Sequence, residues 1–244
     1  MADLIPTITA DFAGRMVVVT GGTGALGSGV VDELLQKDVQ ITIPVFDASE
    51  LKRFERGDDD RVTIIEGVDL TDAKAVESFY NAINGPLWAS IHIAGGFDMG
   101  PIAEFGADRF EALMRKNVTT CYLSCRAAVG MLRQNGLGGG RIVNVAARNA
   151  LFPELGPNMV AYTASKAAVA AITQSLGAEL ADERIWVNAV APSIIDTSAN
   201  RRAMPDADHD KWPSPVDLAR TIVFLASPSN EATRSAIVPV YGRS

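Results

Sequence analysis

Two rhythms of apolar residues alternate along the chain. Short β-branched or apolar runs at Met16 to Thr20, Gln40 to Phe46, Val62 to Glu66, Trp88 to Ala94, Arg141 to Val145, Trp186 to Ala191 and Ala236 to Val240 read as seven strands. Between them, Leu26 to Lys37, Ala73 to Asn84, Arg109 to Asn135, Ala161 to Ala181 and Val216 to Ala226 carry Ala, Leu and charged residues at helical spacing. Strand and helix in repetition predict an α/β fold, a parallel sheet with helices on both faces. Val17-Val18-Val19 is apolar at successive positions, as in a strand buried on both sides.

Nothing interrupts this pattern with a linker or a repeat, so one domain spanning 1–244 is expected, and 48% apolar content is enough for a sizeable core. Gly136 to Gly140 reads as a flexible turn and Arg56 to Arg61 as a charged, solvated one. The stretch from Ser193 to Ser214 lacks a clear element, and a loop of that length in a compact domain serves as a lid or binding loop. It contains His209 and Trp212, which would either cover a flat substrate or anchor the helix that follows.

Charge narrows the class of partner. Twenty-nine acidic residues against 22 basic ones leave a net charge of −7, and the basic positions are scattered, so no stripe suits a nucleic-acid backbone. The expected partner is a small molecule. The first twelve residues hold two Asp and neither Lys nor Arg, unlike a signal peptide, and no run approaches the ~20 apolar residues of a membrane span, which predicts a cytoplasmic protein. The only cysteines, Cys121 and Cys125, are one helical turn apart, too few ligands for a closed metal site, and no metal is expected.

Chemistry enters at Thr20-Gly21-Gly22-Thr23-Gly24-Ala25-Leu26-Gly27, between the first strand and the first helix. Glycines there permit positive φ and close backbone approach to a pyrophosphate, and the amides of a helix N-terminus favour its charge. Gly22, Gly24 and Gly27 fit G-x-G-x-x-G, which points to a dinucleotide. Asp47, twenty residues past Gly27, stands roughly where an acidic side chain accepts from ribose hydroxyls and repels a 2′-phosphate. This leans towards NAD over NADP, with the N-cap of a helix over Ala48 to Arg56 as the equal alternative for Asp47.

In Tyr162-Thr163-Ala164-Ser165-Lys166, a spacing of four sets phenol and ammonium on one helix face. The lysine charge is expected to lower the tyrosine pKa towards working pH and make Tyr162 a general acid.

Taken in order, these pieces resemble the short-chain dehydrogenase/reductase family over nearly the whole chain. Asp69-Leu70 resembles the family's adenine-side pair, Ala94-Gly95-Gly96 the end of its Asn-Asn-Ala-Gly strand, and Asn117 its helix asparagine. Val187 to Pro192, with Ile195 and Thr197 behind it, is similar to the segment that closes over the nicotinamide. The resemblance implies a Rossmann-type, doubly wound seven-stranded parallel sheet in the order 3-2-1-4-5-6-7, hydride transfer from NAD(P), and a homotetramer or homodimer. It implies a proton-donating Tyr162, a Lys166 that tunes it and binds the nicotinamide ribose, and an Asn117 that holds a water linking the lysine to solvent. The cofactor bed would be Gly21, Thr23, Gly24, Ala25, Leu26, Gly27, Asp47, Asp69, Leu70, Ala94, Gly95, Gly96, Pro192, Ile195 and Thr197, together with Tyr162 and Lys166.

The family's serine is absent: beyond the strand Arg141 to Val145 come Ala146 and Ala147, then Arg148 and Asn149. Alanine cannot polarise a carbonyl, so a conjugated, already activated substrate is expected, a pterin or quinone in kind. The dihydropteridine reductases, one branch of the family, are similar in having alanine there and in segments like Ala94-Gly95-Gly96-Phe97 and Asp196-Thr197-Ser198-Ala199-Asn200-Arg201. Arg148 and Asn149 either take over the serine's role or form a plain surface turn. His92 reads as a structural histidine in a buried strand, with a base as the alternative. The rival to an enzyme is a dinucleotide-sensing protein whose lost serine marks a site without turnover.

Overall fold

A computed structural model describes residues 12–244. Seven strands form one parallel sheet: β1 Arg15–Thr20, β2 Val39–Val45, β3 Val62–Glu66, β4 Leu87–His92, β5 Gly140–Val145, β6 Ile185–Pro192 and β7 Ile237–Val240, ordered β3-β2-β1-β4-β5-β6-β7. The expected order and the helix-covered sheet are both present. The order reverses between β1 and β4, and in such sheets ligands bind beyond the carboxyl ends of the strands at that switch.

Period-two alternation decides which helix meets which side chain. Val17, Val19, Ile41 and Ile43 turn to one face, where they pack with Val30, Val31 and Leu34 of α1 (Ala25–Leu34) and Leu218, Ile222 and Val223 of α8 (Pro215–Ala226). Val18, Ile142, Val187 and Ala189 turn to the other, against α2 (Ala73–Asn81), α4 (Thr120–Leu132) and α6 (Val160–Glu179). Val17, Val18 and Val19 are all fully buried, which accounts for the unbroken apolar run.

Three segments depart from the expected elements. The helix expected over Arg109 to Asn135 is two helices, α3 (Ala107–Met114) and α4, joined through a wider π-type turn at Arg115–Thr119. The helix expected after Asp47 is a 3₁₀ turn, Ala48–Arg53, capped by the Asp47 carboxylate, which accepts from the Ser49 amide at 2.8 Å. The segment 193–214 is folded, with α7 (Ser198–Ala203) and a 3₁₀ turn at His209–Lys211. A further short helix, α5 (Arg148–Leu151), follows β5 directly.

One polar chain crosses the second apolar layer. Asn144, fully buried on β5, donates to Thr173 at 2.9 Å and lies 2.8 Å from Nδ1 of His92, while Nε2 of His92 lies 2.8 Å from the Ser90 hydroxyl. Because the Thr173 hydroxyl donates to the Val169 carbonyl, it can only accept from the Asn144 amide. The Asn144 carbonyl therefore faces His92, whose Nδ1 carries the proton and whose Nε2 accepts from Ser90. This makes His92 a satisfied structural histidine. Replacing Asn144 with alanine leaves His92 Nδ1 without an acceptor and opens a void. A loss of about 2–4 kcal/mol of unfolding free energy is expected in urea titrations, and an unchanged midpoint would show the chain to be dispensable.

Candidate active site

The loop after β1 is shaped for close approach. Gly21 has φ +67°, and a Cβ there would lie 2.7 Å from the amide nitrogen of Ala94; at Gly27 it would lie 2.0 Å from the carbonyl oxygen of Gly21. A side chain at Gly21 would drive the β1 and β4 loops apart, and one at Gly27 would push α1 off the loop that precedes it. The N-cap of α1, Gly24, makes no side-chain cap, and the first turn holds no acidic residue. Amides of Ala25, Leu26 and Gly27 are thereby left for an outside acceptor, and these donors fit a pyrophosphate. Thr23 of the same loop donates to Glu50 at 2.5 Å.

Around that loop the structure gathers the ends of the neighbouring strands. Ala94 donates its amide to Thr20 Oγ1 at 3.3 Å, which ties the β4 loop to β1. Asp69 folds back on Thr71, accepting from its amide and its hydroxyl at 2.8 Å each, and Leu70 packs with the second apolar layer. Pro192 ends β6. Beyond it, Ile195 accepts from the Asn200 amide group at 2.8 Å, and the Thr197 hydroxyl caps α7. Asp47 lies at this end of the sheet with its carboxylate fully exposed, held below the usual range by the backbone and side chain of Ser49.

Lys166 is the centre of the arrangement. It is 7% exposed, and its Nζ donates to the Val145 carbonyl at 2.8 Å; a Cβ on Gly95 would come within 3.7 Å of that nitrogen. Burial pulls its pKa down to about 8. An ammonium has three donors, so two remain for a ligand. Tyr162, one turn earlier on α6, packs its ring edge against Phe97, with centroids 4.9 Å apart. Burial pushes its phenol up to about 12. The expectation that Lys166 lowers this pKa is corrected here: the ammonium is engaged with Val145, and desolvation alone sets the direction for both groups.

Asn117 comes from the π-type turn and is 2% exposed. Its carboxamide embraces Gly96, accepting from the amide at 2.8 Å and donating to the carbonyl at 3.0 Å, and its second N–H reaches Ser165 Oγ at 2.9 Å. Ser165 in turn donates to the Tyr162 carbonyl at 2.8 Å. With both N–H groups and the oxygen of the side chain engaged, Asn117 positions the Ala94-Gly95-Gly96 turn against α6. Sequence reasoning missed this clamp because it needs a bulge that helical periodicity does not reveal.

Where the serine is absent, Ala146 and Ala147 are buried. Arg148, next along, stacks its guanidinium over the Tyr241 ring at 5.0 Å. Its buried Nε and the buried Tyr241 hydroxyl both lack a hydrogen-bond partner, so Arg148 is not a plain surface turn. Asn149 contacts Met159 Sδ at 3.8 Å. Trp212 is 9% exposed against His209, with ring centroids 4.7 Å apart, and His209 Nε2 contacts the Met204 carbonyl at 2.8 Å. These two residues anchor the segment before α8 and do not flap over a groove.

Folding adds a third partner to the two cysteines. Ligand atoms of His92, Cys121 and Cys125 lie within 4.8 Å of one another, all buried. The spacing of the cysteines could not show this, since His92 arrives from β4. Its ring nitrogens are committed to Asn144 and Ser90, and the shared hydrogen bond with Cys121 together with burial pushes the Cys125 thiol well above its usual range.

Comparison with known proteins agrees with this geometry. The pattern described as short chain dehydrogenase matches residues 15–208. An uncharacterized oxidoreductase of Thermotoga maritima is 29% identical over 236 residues, covering 87% of this chain and 88% of its own. The 2-dehydro-3-deoxy-L-rhamnonate dehydrogenase (NAD(+)) of a Sphingomonas species is 29% identical over 214 residues, covering 86% and 83%. Among solved structures, ElxO with NADP bound superposes with a TM-score of 0.86 at 24% identity, over 94% of this chain and 98% of that one. No helix among the described residues is long and apolar enough to cross a membrane. With the glycine loop, the Tyr162-Lys166 pair and the sheet order on one chain, the protein belongs to the short chain dehydrogenases, NAD(P)-dependent oxidoreductases.

Proposed function

We propose that the chain moves hydride between NAD(P) and a small carbonyl or conjugated ring substrate, with Tyr162 as proton donor, in the cytoplasm and as a homo-oligomer. The observation that carries this reading is Lys166: a buried cation with one acceptor among the described residues, directly beneath the Gly95 turn. The unoccupied donors of such a cation suit the hydroxyls of a ribose. The homo-oligomer is supported by apolar side chains left exposed, Tyr122 on α4 and Val160 at the start of α6.

Bound dinucleotide supplies the hydride. The protein does the rest. First-turn amides of α1 hold the pyrophosphate, and Asp69, Leu70, Ala94 and Gly95 line the way to Pro192, Ile195 and Thr197. A phenol raised to about 12 keeps its proton at neutral pH, the state a donor needs. As negative charge grows on the substrate oxygen, Tyr162 hands over its proton, while the remaining donors of Lys166 hold the ribose beside it. Phe97, edge-on to Tyr162, restricts the approach to flat groups.

Ala147 offers no hydroxyl to a carbonyl, which favours a substrate whose conjugation already activates it. Arg148 supports the same reading from another side: its guanidinium opens α5 directly after β5, where the serine is missing, and its terminal N–H groups can meet a substrate oxygen. For the cofactor, Asp47 and Glu50 place two carboxylates at the adenosine end, which opposes a 2′-phosphate and supports NAD. Lys52 and Arg53 on the same 3₁₀ turn oppose that preference, and the NAD(+)-named relative and the NADP-bound neighbour point in different directions.

Three outcomes test this. Tyr162→Phe should cut turnover at least tenfold while the dissociation constant for dinucleotide stays within about twofold; unchanged turnover removes Tyr162 from its role. Absorbance assays of NADH and NADPH oxidation against quinonoid dihydropterin, quinones, enones and simple ketones should show turnover of conjugated substrates and a higher kcat/KM with NADH. Activity confined to simple ketones would overturn the substrate class, and binding without any turnover would overturn the enzyme. The third concerns pH. In the unfolded chain Lys166 keeps its proton up to the ordinary lysine value of 10.5, but folded it loses it near 8. The cost of burying the charge is therefore complete below pH 8 and relieved as pH rises from 8 to 10.5. Lys166→Met should be more stable than the parent below pH 8, by up to about 3 kcal/mol, with the advantage shrinking towards pH 10.5; a pH-independent difference would contradict the depressed value.

A further inference from the structure

A second charged feature lies at the opposite end of the sheet, where the strands begin. A cavity of about 190 Å³ is lined by Arg15, Arg141 and Arg184, by the indoles of Trp88 and Trp186, and by Glu231. Strand pairing makes this clustering inevitable: Arg15 opens β1, Trp88 follows on β4, and Arg141 of β5 is in register with Trp186 of β6. Arg184, in the left-handed region at φ +56°, lies just before β6.

Three guanidiniums meet here with too little negative charge. Among the described residues no carboxylate is within ion-pairing distance of Arg15, Arg141 or Arg184, and Glu231 supplies the single acidic group of the lining. Arg141 is 5% exposed. Two of its five N–H groups reach the carbonyls of Gly140 and Asn230, and its buried Nε has no partner. Its guanidinium lies 4.8 Å from the Trp88 ring and 5.7 Å from that of Trp186, while Arg15 stacks 4.3 Å over Trp88. Burial, then the charges of Arg184 and Arg15, pull Arg141 down to about 10 against the smaller opposing charge of Glu231, so it stays protonated at neutral pH and the repulsion persists. In a chain of net charge −7, such a cluster is a local inversion of sign.

We propose that this cavity is a binding site for a phosphate-type oxyanion, either free phosphate or the phosphoryl group of a small metabolite, held by Arg15, Arg141 and Arg184. A tetrahedral oxyanion offers acceptors in several directions, which suits guanidiniums arriving from three segments, and the cavity has room for it. The occupant would accept from the terminal guanidinium N–H groups that Gly140 and Asn230 leave free and balance the charge that Glu231 alone does not. It would also join the amino ends of β1 and β5 to the turn that leads into β6. The site is separate from the glycine loop, which lies at the carboxyl ends of the strands.

The test titrates the full-length protein with inorganic phosphate and, separately, with glycerol 3-phosphate. Ionic strength is held constant with chloride, and NAD+ is present to fill the glycine loop. Trp88 and Trp186 are two of the three tryptophans, so intrinsic fluorescence reports the cavity directly. A saturable fluorescence change is expected, with a Tm about 3 °C higher when the anion stands tenfold above its Kd. Arg184→Gln, at an exposed position that leaves the core untouched, should weaken binding at least fivefold, and Arg15→Gln combined with it should abolish the response. Tighter binding of the monoester assigns the site to a metabolite's phosphoryl group, and tighter binding of inorganic phosphate to the free ion. No saturable response, or the same response in the double variant, overturns the proposal.

Discussion

The buried ammonium of Lys166 is the constraint on which the site is built. A cation in a desolvated place needs acceptors, and among the described residues it has only the Val145 carbonyl. Everything nearby is arranged around it. Gly95 has no side chain because one would collide with Asn117 Oδ1 at 2.7 Å and crowd the lysine, and α6 carries Ser165 and Tyr162 at positions that lock the same corner. The charge is tolerable because the fold reserves its remaining donors for something from outside.

Asn117 is the second member of this corner. A carboxamide that pairs with both peptide groups of Gly96 acts as a piece of backbone supplied by a side chain. It sets the height of the Ala94-Gly95-Gly96 turn above the sheet, and through Ser165 it sets the register of α6 beneath that turn. The loop between β4 and α3, the π-type turn and the helix with Tyr162 thus move as a unit.

Much of this was legible before any coordinates. The central strands are legible to within two residues because parallel strands buried on both faces leave unbroken apolar runs, and the glycine loop because only glycine fits where Gly21 and Gly27 lie. Tyr162 and Lys166 were visible from spacing and from their company. The misses share a cause: each rests on a contact distant in sequence. Periodicity could not show that the helix around Asn117 widens, since apolar spacing survives a bulge. The expected effect of Lys166 on Tyr162 assumed that charge reaches the phenol, whereas burial and Val145 decide the matter. In sequence Asp47 suits ribose and cap equally, and its contact with Ser49 fills the cap without excluding the ribose. His92 is explained by Asn144 and Thr173, far along the chain.

The wider turn at Arg115–Thr119 also marks where the chain tolerates no change in length. An α-helix advances about 100° per residue. Deleting one residue there would restore ordinary winding and rotate Asn117 away from Gly96 by roughly that angle. Insertions and deletions between β4 and β5 would therefore be accepted in the loop at Gly136 to Gly139 after α4 but not within this turn, whatever the chemical nature of the residue removed.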